Sequence, residues 1–270
     1  MDHNGLRGRS EELGDLMPEH VVSLNTDIGE GYGAWRIADD AALLGVVTDA
    51  NMACGFHAGD PDIMRQTCET AAANGVGIGA QVGFHDIIGF GRRFIEISRA
   101  SLTNDLIYQL GALSAFAELV GSPVAYVKAH GALYHAAVQH EQYAGAVIDA
   151  IRSFDASLPF LCQPGTSFSA RAEKAGLRTV REGYIDRAYQ PDGLLVPRGT
   201  PDAVITDIDE ACRRAVAMAQ SGEITAIDGS VIAMPVDSVC IHSDSPGASE
   251  VAQAVRAALI DAGIALSRIE

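Results

Sequence analysis

Seven short apolar runs alternate along this chain with longer segments whose apolar residues recur at helical spacing, and that alternation limits the folds open to it. The runs are Val21 to Asn25, Asp49 to Cys54, Gly75 to Ala80, Pro123 to Lys128, Leu158 to Cys162, Leu177 to Glu182 and Ser238 to His242. The helical segments are Ala38 to Val47, Asp62 to Ala73, Ser101 to Val120, Glu141 to Phe154, Ser167 to Ala175, Pro201 to Gln220 and Ser249 to Ala262. Asp60-Pro61 and Thr200-Pro201 read as helix starts, and Gly75, Gly121, Gly176 and Gly263 as stops. Strand followed by helix, repeated, calls for a parallel sheet covered by helices, either open or closed into a barrel. Nearly every run passes into polar residues at its C-terminal end: Asn25 and Asp27, His57, Gln81, Lys128 and His130, Asp186 and Arg187, His242 and Asp244. Polar groups spread over many strand ends suit a (β/α) barrel better than an open sheet, whose ligands gather at one switch point. Ile224 to Met234 reads as an inserted β-hairpin around Asp228-Gly229. Residues 1–20 are expected to form a flexible tail and residues 21–270 a single barrel domain.

Charge removes several classes of partner. With 35 acidic against 19 basic residues, the net charge of −16 disfavours nucleic acid and anionic membranes. Among the basic residues only Lys128 and Lys174 are lysines, so a lysine at a strand end is singled out. The cysteines at 54, 68, 162, 212 and 240 form no C-x-x-C pair and read as reduced thiols. The first twenty residues lack an apolar signal segment, and no apolar run approaches a membrane span of about 20 residues, so a cytoplasmic protein is expected.

The polar motifs each carry two readings. In residues 25–33, NTDIGEGYG, glycines allow close backbone approach while Asp27 and Glu30 are either a base or metal ligand, or solvated acids of a turn. His57 lies among small residues, as a functional or a core histidine, and Asp60 reads as a helix cap. Arg92 and Arg93 end a loop of about ten residues, where they clamp an anion or sit solvated on the surface. Alternation puts Lys128 and His130 on one side of their strand, with Lys128 desolvated, paired with an acid, or snorkelling from a rim. His242 and Asp244 repeat the design, with Asp244 or Ser245 also able to cap a helix that Pro246 starts. His57, His130, His242, Asp27 and Asp244 would converge at one barrel mouth, enough for a divalent metal or an acid–base pair. There is no P-loop sequence and no G-x-S-x-G elbow.

Six motifs in this order, NTDIGEGYG, NMACGFHAGDP, GIGAQVGFHDIIGFGRR, YVKAHGALY, GYIDRAYQPDGLLVPRG and VCIHSDSP, resemble the LamB/YcsF family of lactam-utilization proteins, described as the A subunit of 5-oxoprolinase. The resemblance covers about Val21 to Gly263. It implies a distorted seven-stranded (β/α) barrel similar to the glycoside hydrolase/deacetylase type. It further implies an ATP-dependent opening of 5-oxo-L-proline to L-glutamate, together with subunits B and C. The family's polar positions fall on Asn25, Asp27, Glu30, His57, Asp60, Arg92, Arg93, Lys128, His130, Asp186, Arg187, His242 and Asp244. The chain departs from the family's GAHPGYPD at Gln81 and Val82, with His85 where the second proline would stand, and it has Thr26 for a usual cysteine. An amide shuttles no proton and is a poor ligand for a transition metal.

The expected catalytic residues are Asp27, His57, Lys128, His130 and Asp244, with Asn25, Glu30, Arg92, Arg93, Asp186, Arg187 and His242 binding substrate. Lys128 with Arg92 or Arg187 would neutralise carboxylate and phosphate charge, and His130 or His57, poised by Asp27 or Asp244, would move the proton of the attacking water. ATP enters as co-substrate through the partner subunits, and a homo-oligomer is compatible with the sequence. Two alternatives stand beside this: a stand-alone metal-dependent amide hydrolase or deacetylase with Asp27, His57 and His130 as ligands, and a non-catalytic lactam-binding subunit, which Gln81 supports.

Overall fold

A computed structural model describes residues 20–245 and 247–270. The expected flexible tail lies outside the described residues apart from His20, as does Pro246. The seven apolar runs become strands β1 (Val21–Ile28), β2 (Asp49–Ala53), β3 (Gly77–Val82), β4 (Val124–Ala129), β5 (Phe160–Cys162), β6 (Thr179–Tyr184) and β9 (Ser238–Ile241). Between β6 and β9 stands the expected hairpin, β7 (Glu223–Thr225) antiparallel to β8 (Val231–Ala233). A short β10 (Ala265–Leu266) pairs with the start of β1. The parallel order is β1-β2-β3-β4-β5-β6-β9, and β9 pairs back onto β1 through Ser238 to Ile241 against Ser23 to Thr26. The sheet therefore closes into a seven-stranded barrel, which leaves no free edge.

The helices are α1 (Asp40–Leu44), α2 (Pro61–Ala73), α3 (Arg99–Leu119), α4 (Gly131–Gln139), α5 (Glu141–Asp155), α6 (Ser167–Lys174), α7 (Ile208–Gln220) and α8 (Ala248–Asp261). Leu102, Leu106, Leu110 and Leu113 recur three or four apart on α3 and are all buried, so this helix is held by an apolar stripe. Gly75, Gly121, Gly176 and Gly263 follow helix ends with φ of +67°, +69°, +86° and +77°, as the sequence suggests.

Two expectations fail, and one helix was not anticipated. Helix α7 begins at Ile208, where Asp207 accepts from the Glu210 amide, rather than at Pro201, because the preceding residues pair with the loop after β6: Ala188 N–H donates to Ala203 O. Helix α4 follows His130 directly and has no side-chain cap, which is why no start signal marks it. Helix α8 starts after Gly247 at φ +74° with no side-chain cap, so neither Asp244 nor Ser245 caps it.

The barrel is plugged where its strands begin. Ile269 packs there against Tyr126, Leu161 and Val180. The Tyr126 ring fits because Gly79 faces it, where an added Cβ would stand 2.1 Å from two ring carbons, and the β3–β4 register shifts at this point. Buried Asp49 holds the C-terminal segment by accepting from the Ile269 amide at 3.2 Å and from Thr48 Oγ1 at 2.8 Å. Among the described residues no helix is long and apolar enough to cross a membrane.

Burial pushes the Asp49 carboxyl up to about 6. A carboxyl raised on folding binds its proton more tightly in the folded chain, so stability is greatest below the unfolded value near 3.8 and falls as pH rises through 6. The loss is on the order of 3 kcal/mol. Asp40, also pushed up to about 6 by burial, acts in the same direction. Asp49→Asn is expected to stabilise the chain at pH 7.5 and to flatten, without abolishing, the fall in stability between pH 4.5 and 7.5, as read by chemical denaturation.

Candidate active site at the barrel mouth

The inner wall of the barrel carries charge. Lys128 on β4 is buried and donates to Glu182 Oε1 on β6 at 2.6 Å, Asp27 Oδ1 on β1 at 3.2 Å and Cys240 Sγ on β9 at 3.4 Å. An ammonium has three protons, and all three are used. Burial alone would raise the Asp27 pKa, but Lys128, then His242, reverse this and hold it well below the usual carboxylate range. Burial likewise opposes charge on Lys128, and the Asp27 and Glu182 carboxylates override it, so the Lys128 pKa is held well above normal. Asn51 Nδ2 donates to Asp27 at 2.9 Å and to Asn25 Oδ1 at 2.7 Å, while Tyr126 OH donates to Asn51 Oδ1 at 2.7 Å. Asn25 in turn donates to Ser238 Oγ at 2.7 Å, and Tyr184 OH donates to Glu182 Oε2 at 2.7 Å.

Two histidines stand at the strand ends nearby. His57, after β2, and His130, after β4, are buried and stack face to face with ring centroids 3.9 Å apart. Glu30 Oε1 lies 3.7 Å from His57 Nε2 and 3.6 Å from His130 Nδ1. Burial pushes His57 down to about 4, and burial with the neighbouring ring pushes His130 well below its ordinary value. Both imidazoles are therefore neutral at physiological pH. His130 Nε2 lies 2.9 Å from Phe90 O, which can only accept, so the proton is on Nε2 and the Nδ1 lone pair faces Glu30. Burial and the charges of Asp27 and Asp244 push the Glu30 carboxyl well above normal.

Glu30 Oε1 and both ring nitrogens of His57 have no hydrogen-bond partner among the described residues. Glu30, His57 and His130 each bring one ligand atom within 4.8 Å of the others. Two neutral imidazoles and a carboxylate form a donor set that suits a divalent transition metal. The expected set named Asp27 in place of Glu30, but Asp27 is bonded to Lys128 and Asn51. Both amide atoms of buried Gln81 also lack partners among the described residues. His85 is exposed and stacks on Phe56 at 4.2 Å, so it does not take the place of the missing histidine.

The loop from Gly83 to Arg93 closes over the rings. A Cβ at Gly91, whose φ is +63°, would stand 2.7 Å from His57 Cβ and 2.8 Å from His130 Cδ2, so only glycine allows this approach. Phe90 adopts φ of +54°, a strained value for a side chain of its size, and its ring meets both imidazoles edge-on. The two neighbouring arginines part ways. Arg93 is exposed and pairs with Asp86, which also accepts from Gly89 N–H and so shapes the loop. Arg92 reaches across the mouth to Asp244 Oδ2 at 2.5 Å. Asp60 caps α2 and accepts from Gly33 N–H at 2.7 Å, tying down the loop after β1.

Opposite the stacked pair, His242 Nδ1 lies 2.8 Å from Asp186 Oδ2, and the Tyr184 ring stacks on His242 at 5.4 Å. Burial opposes charge on His242, but Asp186 overrides it and raises its pKa. Arg187 is buried and turned toward the chain, donating to Val196 O and Ala203 O. Arg198, absent from the expected set, takes the outward position, with Nη1 3.9 Å from Asp244 Oδ2. Glu182, Asn51 and Tyr184 were also missed. For Glu182 the signal was an acid two residues after Val180 in a buried run, on the same face of the strand.

The model of the LamB/YcsF family matches residues 22–270. A protein from Mycolicibacterium gilvum, named as the A subunit of 5-oxoprolinase, is 52% identical over 246 residues, 91% of this chain and 98% of the relative. One of the same name from Kocuria rhizophila is 50% identical over 244 residues, 90% and 97% of the two chains. The crystal structure of a lactam utilization protein from Thermus thermophilus superposes with a TM-score of 0.88 at 44% identity, covering 92% of this chain and 99% of that one. A family match extending from the first strand through the last residue, with relatives half identical over nine-tenths of the chain, means that this protein belongs to the LamB/YcsF family.

Proposed function

We propose that this chain is the A subunit of an ATP-dependent 5-oxoprolinase, which opens the lactam of 5-oxo-L-proline to L-glutamate in the cytoplasm with subunits B and C. The observation that carries the reading is the buried trio of Glu30, His57 and His130 under a rim bearing Arg92 and Arg198. It accompanies strong identity to proteins named as A subunits of 5-oxoprolinase.

A five-membered lactam is an unstrained amide, so its carbonyl carbon resists water. Phosphorylation of the carbonyl oxygen by ATP makes that carbon electrophilic. The sequence has no P-loop, which agrees with nucleotide held by a partner subunit. Water then attacks the carbonyl carbon, passing a proton to a neutral imidazole of the stacked pair. The ring C–N bond breaks, and His242, whose protonated form Asp186 favours, delivers the proton that the departing nitrogen needs. A second water releases phosphate. Lys128 has no proton left for substrate and acts as a positioning residue that holds Asp27 ionised beside the trio.

The same trio favours a second reading, a metal-dependent amide hydrolase working without ATP. A divalent metal held by Glu30, His57 and His130 would supply Lewis-acid polarisation of the amide carbonyl. His242 keeps its role of protonating the nitrogen.

In the assembled complex, His130→Ala is expected to lower ATP-dependent glutamate release by about 100-fold or more, and unchanged turnover would count against the proton role. Titration of the purified chain with Zn²⁺ or Mn²⁺ separates the two readings. Stoichiometric binding that weakens about tenfold or more in Glu30→Gln, with amide cleavage independent of ATP, supports the second; absence of binding removes it. Lys128→Met leaves two carboxylates buried without their cation and is expected to cost about 3 to 5 kcal/mol in denaturant-monitored stability, part of which Glu182→Gln restores.

A further inference from the structure

We propose that Arg92 and Arg198 form a two-guanidinium clamp for the carboxylate of the substrate, and that Asp244 occupies the clamp until that carboxylate displaces it. This rests on the lactam reading above and names the group that would select acidic lactams.

Three loops supply the parts. Arg92 comes from the loop after β3, Arg198 from the loop after β6 and Asp244 from the loop after β9. Both guanidinium groups approach the same atom, Asp244 Oδ2, at 2.5 Å and 3.9 Å. Each guanidinium has five donors, yet among the described residues the Arg92 side chain donates only to Asp244 and the Arg198 side chain to none. Two cations with most of their donors free, sharing one carboxylate oxygen, form an anion site in which a side chain stands where a ligand carboxylate would bind bidentately. All three groups reach solvent, with side-chain exposures of 41%, 35% and 17%, so exchange needs no opening of the core.

The clamp also lies beside the reactive groups. Arg92 packs over the Phe90 ring at 5.0 Å, on the loop whose Phe90 carbonyl receives the His130 proton. Arg198 acts on the charges of His242 and Asp186 on the other side. A carboxylate bound there stands between the two histidine groups, and in 5-oxoproline the carboxylate is attached to the carbon next to the amide nitrogen. The turn carrying Arg198 is set in advance, since buried Arg187 grips the carbonyls of Val196 and Ala203 on either side of it. Arg92, Arg198 and Asp244 together carry one net positive charge, which the ligand carboxylate neutralises while Asp244, displaced but still tethered, turns to solvent. Asp244 thus weakens ligand binding in proportion to its own hold on the clamp.

Calorimetric titration of the full-length chain with three probes tests this: 5-oxo-L-proline, 2-pyrrolidinone, which is the same ring without the carboxylate, and N-acetylglycine, an open-chain amide with one. Arg198→Ala is expected to weaken 5-oxo-L-proline about tenfold and to leave 2-pyrrolidinone within about twofold. Arg198→Lys, which keeps the charge and loses the fork, should fall between. Asp244→Asn should strengthen the carboxylate probes several-fold without changing 2-pyrrolidinone. Equal loss of both lactams in Arg198→Ala, weaker carboxylate binding in Asp244→Asn, or a wild-type chain that binds no carboxylate probe overturns the clamp. Loss of 5-oxo-L-proline binding with Arg198-dependent binding of N-acetylglycine retains the clamp and removes the lactam reading. Tight 5-oxo-L-proline binding unaffected by Arg198→Ala retains the lactam reading and removes the clamp.

Discussion

The contact of Lys128 with Asp27 and Glu182 inside the barrel is the constraint on which the site depends. It joins β1, β4 and β6, and the Cys240 thiol adds β9. A buried cation between two carboxylates adds little stability compared with apolar packing, because desolvation of each ion opposes the attraction. Its value lies in geometry and charge. It fixes strands that share no direct pairing, β1 with β4 and β4 with β6, and it keeps Asp27 ionised where burial alone would protonate it. Asn51, Asn25 and Tyr126 extend the same network, so its polar groups are satisfied and its members held in place.

Above that network the electrostatics reverse. His57 and His130 stack in a buried layer where burial denies them charge, while Glu30 faces them and resists ionisation. The layer is covered because Gly91 lets the loop after β3 lie on the rings and Phe90 meets their edges. Neutral imidazoles with free lone pairs can take a proton or hold a metal, and both uses fail once the rings are charged. Farther out, His242 has the opposite character, its pKa raised by the Asp186 carboxylate. Groups pushed apart in pKa at one mouth are what acid–base chemistry on an amide requires.

The barrel was legible because nearly every strand run ends in chemistry, and the rarity of lysine pointed to Lys128. Its partner Glu182 left only a faint signal, since a lone acid in a short apolar run reads as the end of that run until a closed barrel brings β6 level with β4. The arginines show a different limit. Arg187 sits in a motif with Asp186 and was expected at the ligand, whereas the fold turns it inward to carbonyls and puts Arg198, eleven residues on, at the rim. Sequence order does not record which way a guanidinium turns in a long loop. The start of α7 failed for a related reason, because the segment after Pro201 is held by backbone pairing of Ala203 with Ala188.

Titration of the two imidazole rings by NMR in the metal-free chain tests the account most directly. His57 is predicted to gain its proton only near pH 4, with His130 also well below 6.5, so that both rings are neutral across the physiological range. A ring of this pair that protonates between pH 6 and 7 would contradict the claim that burial keeps the stacked histidines neutral and reactive.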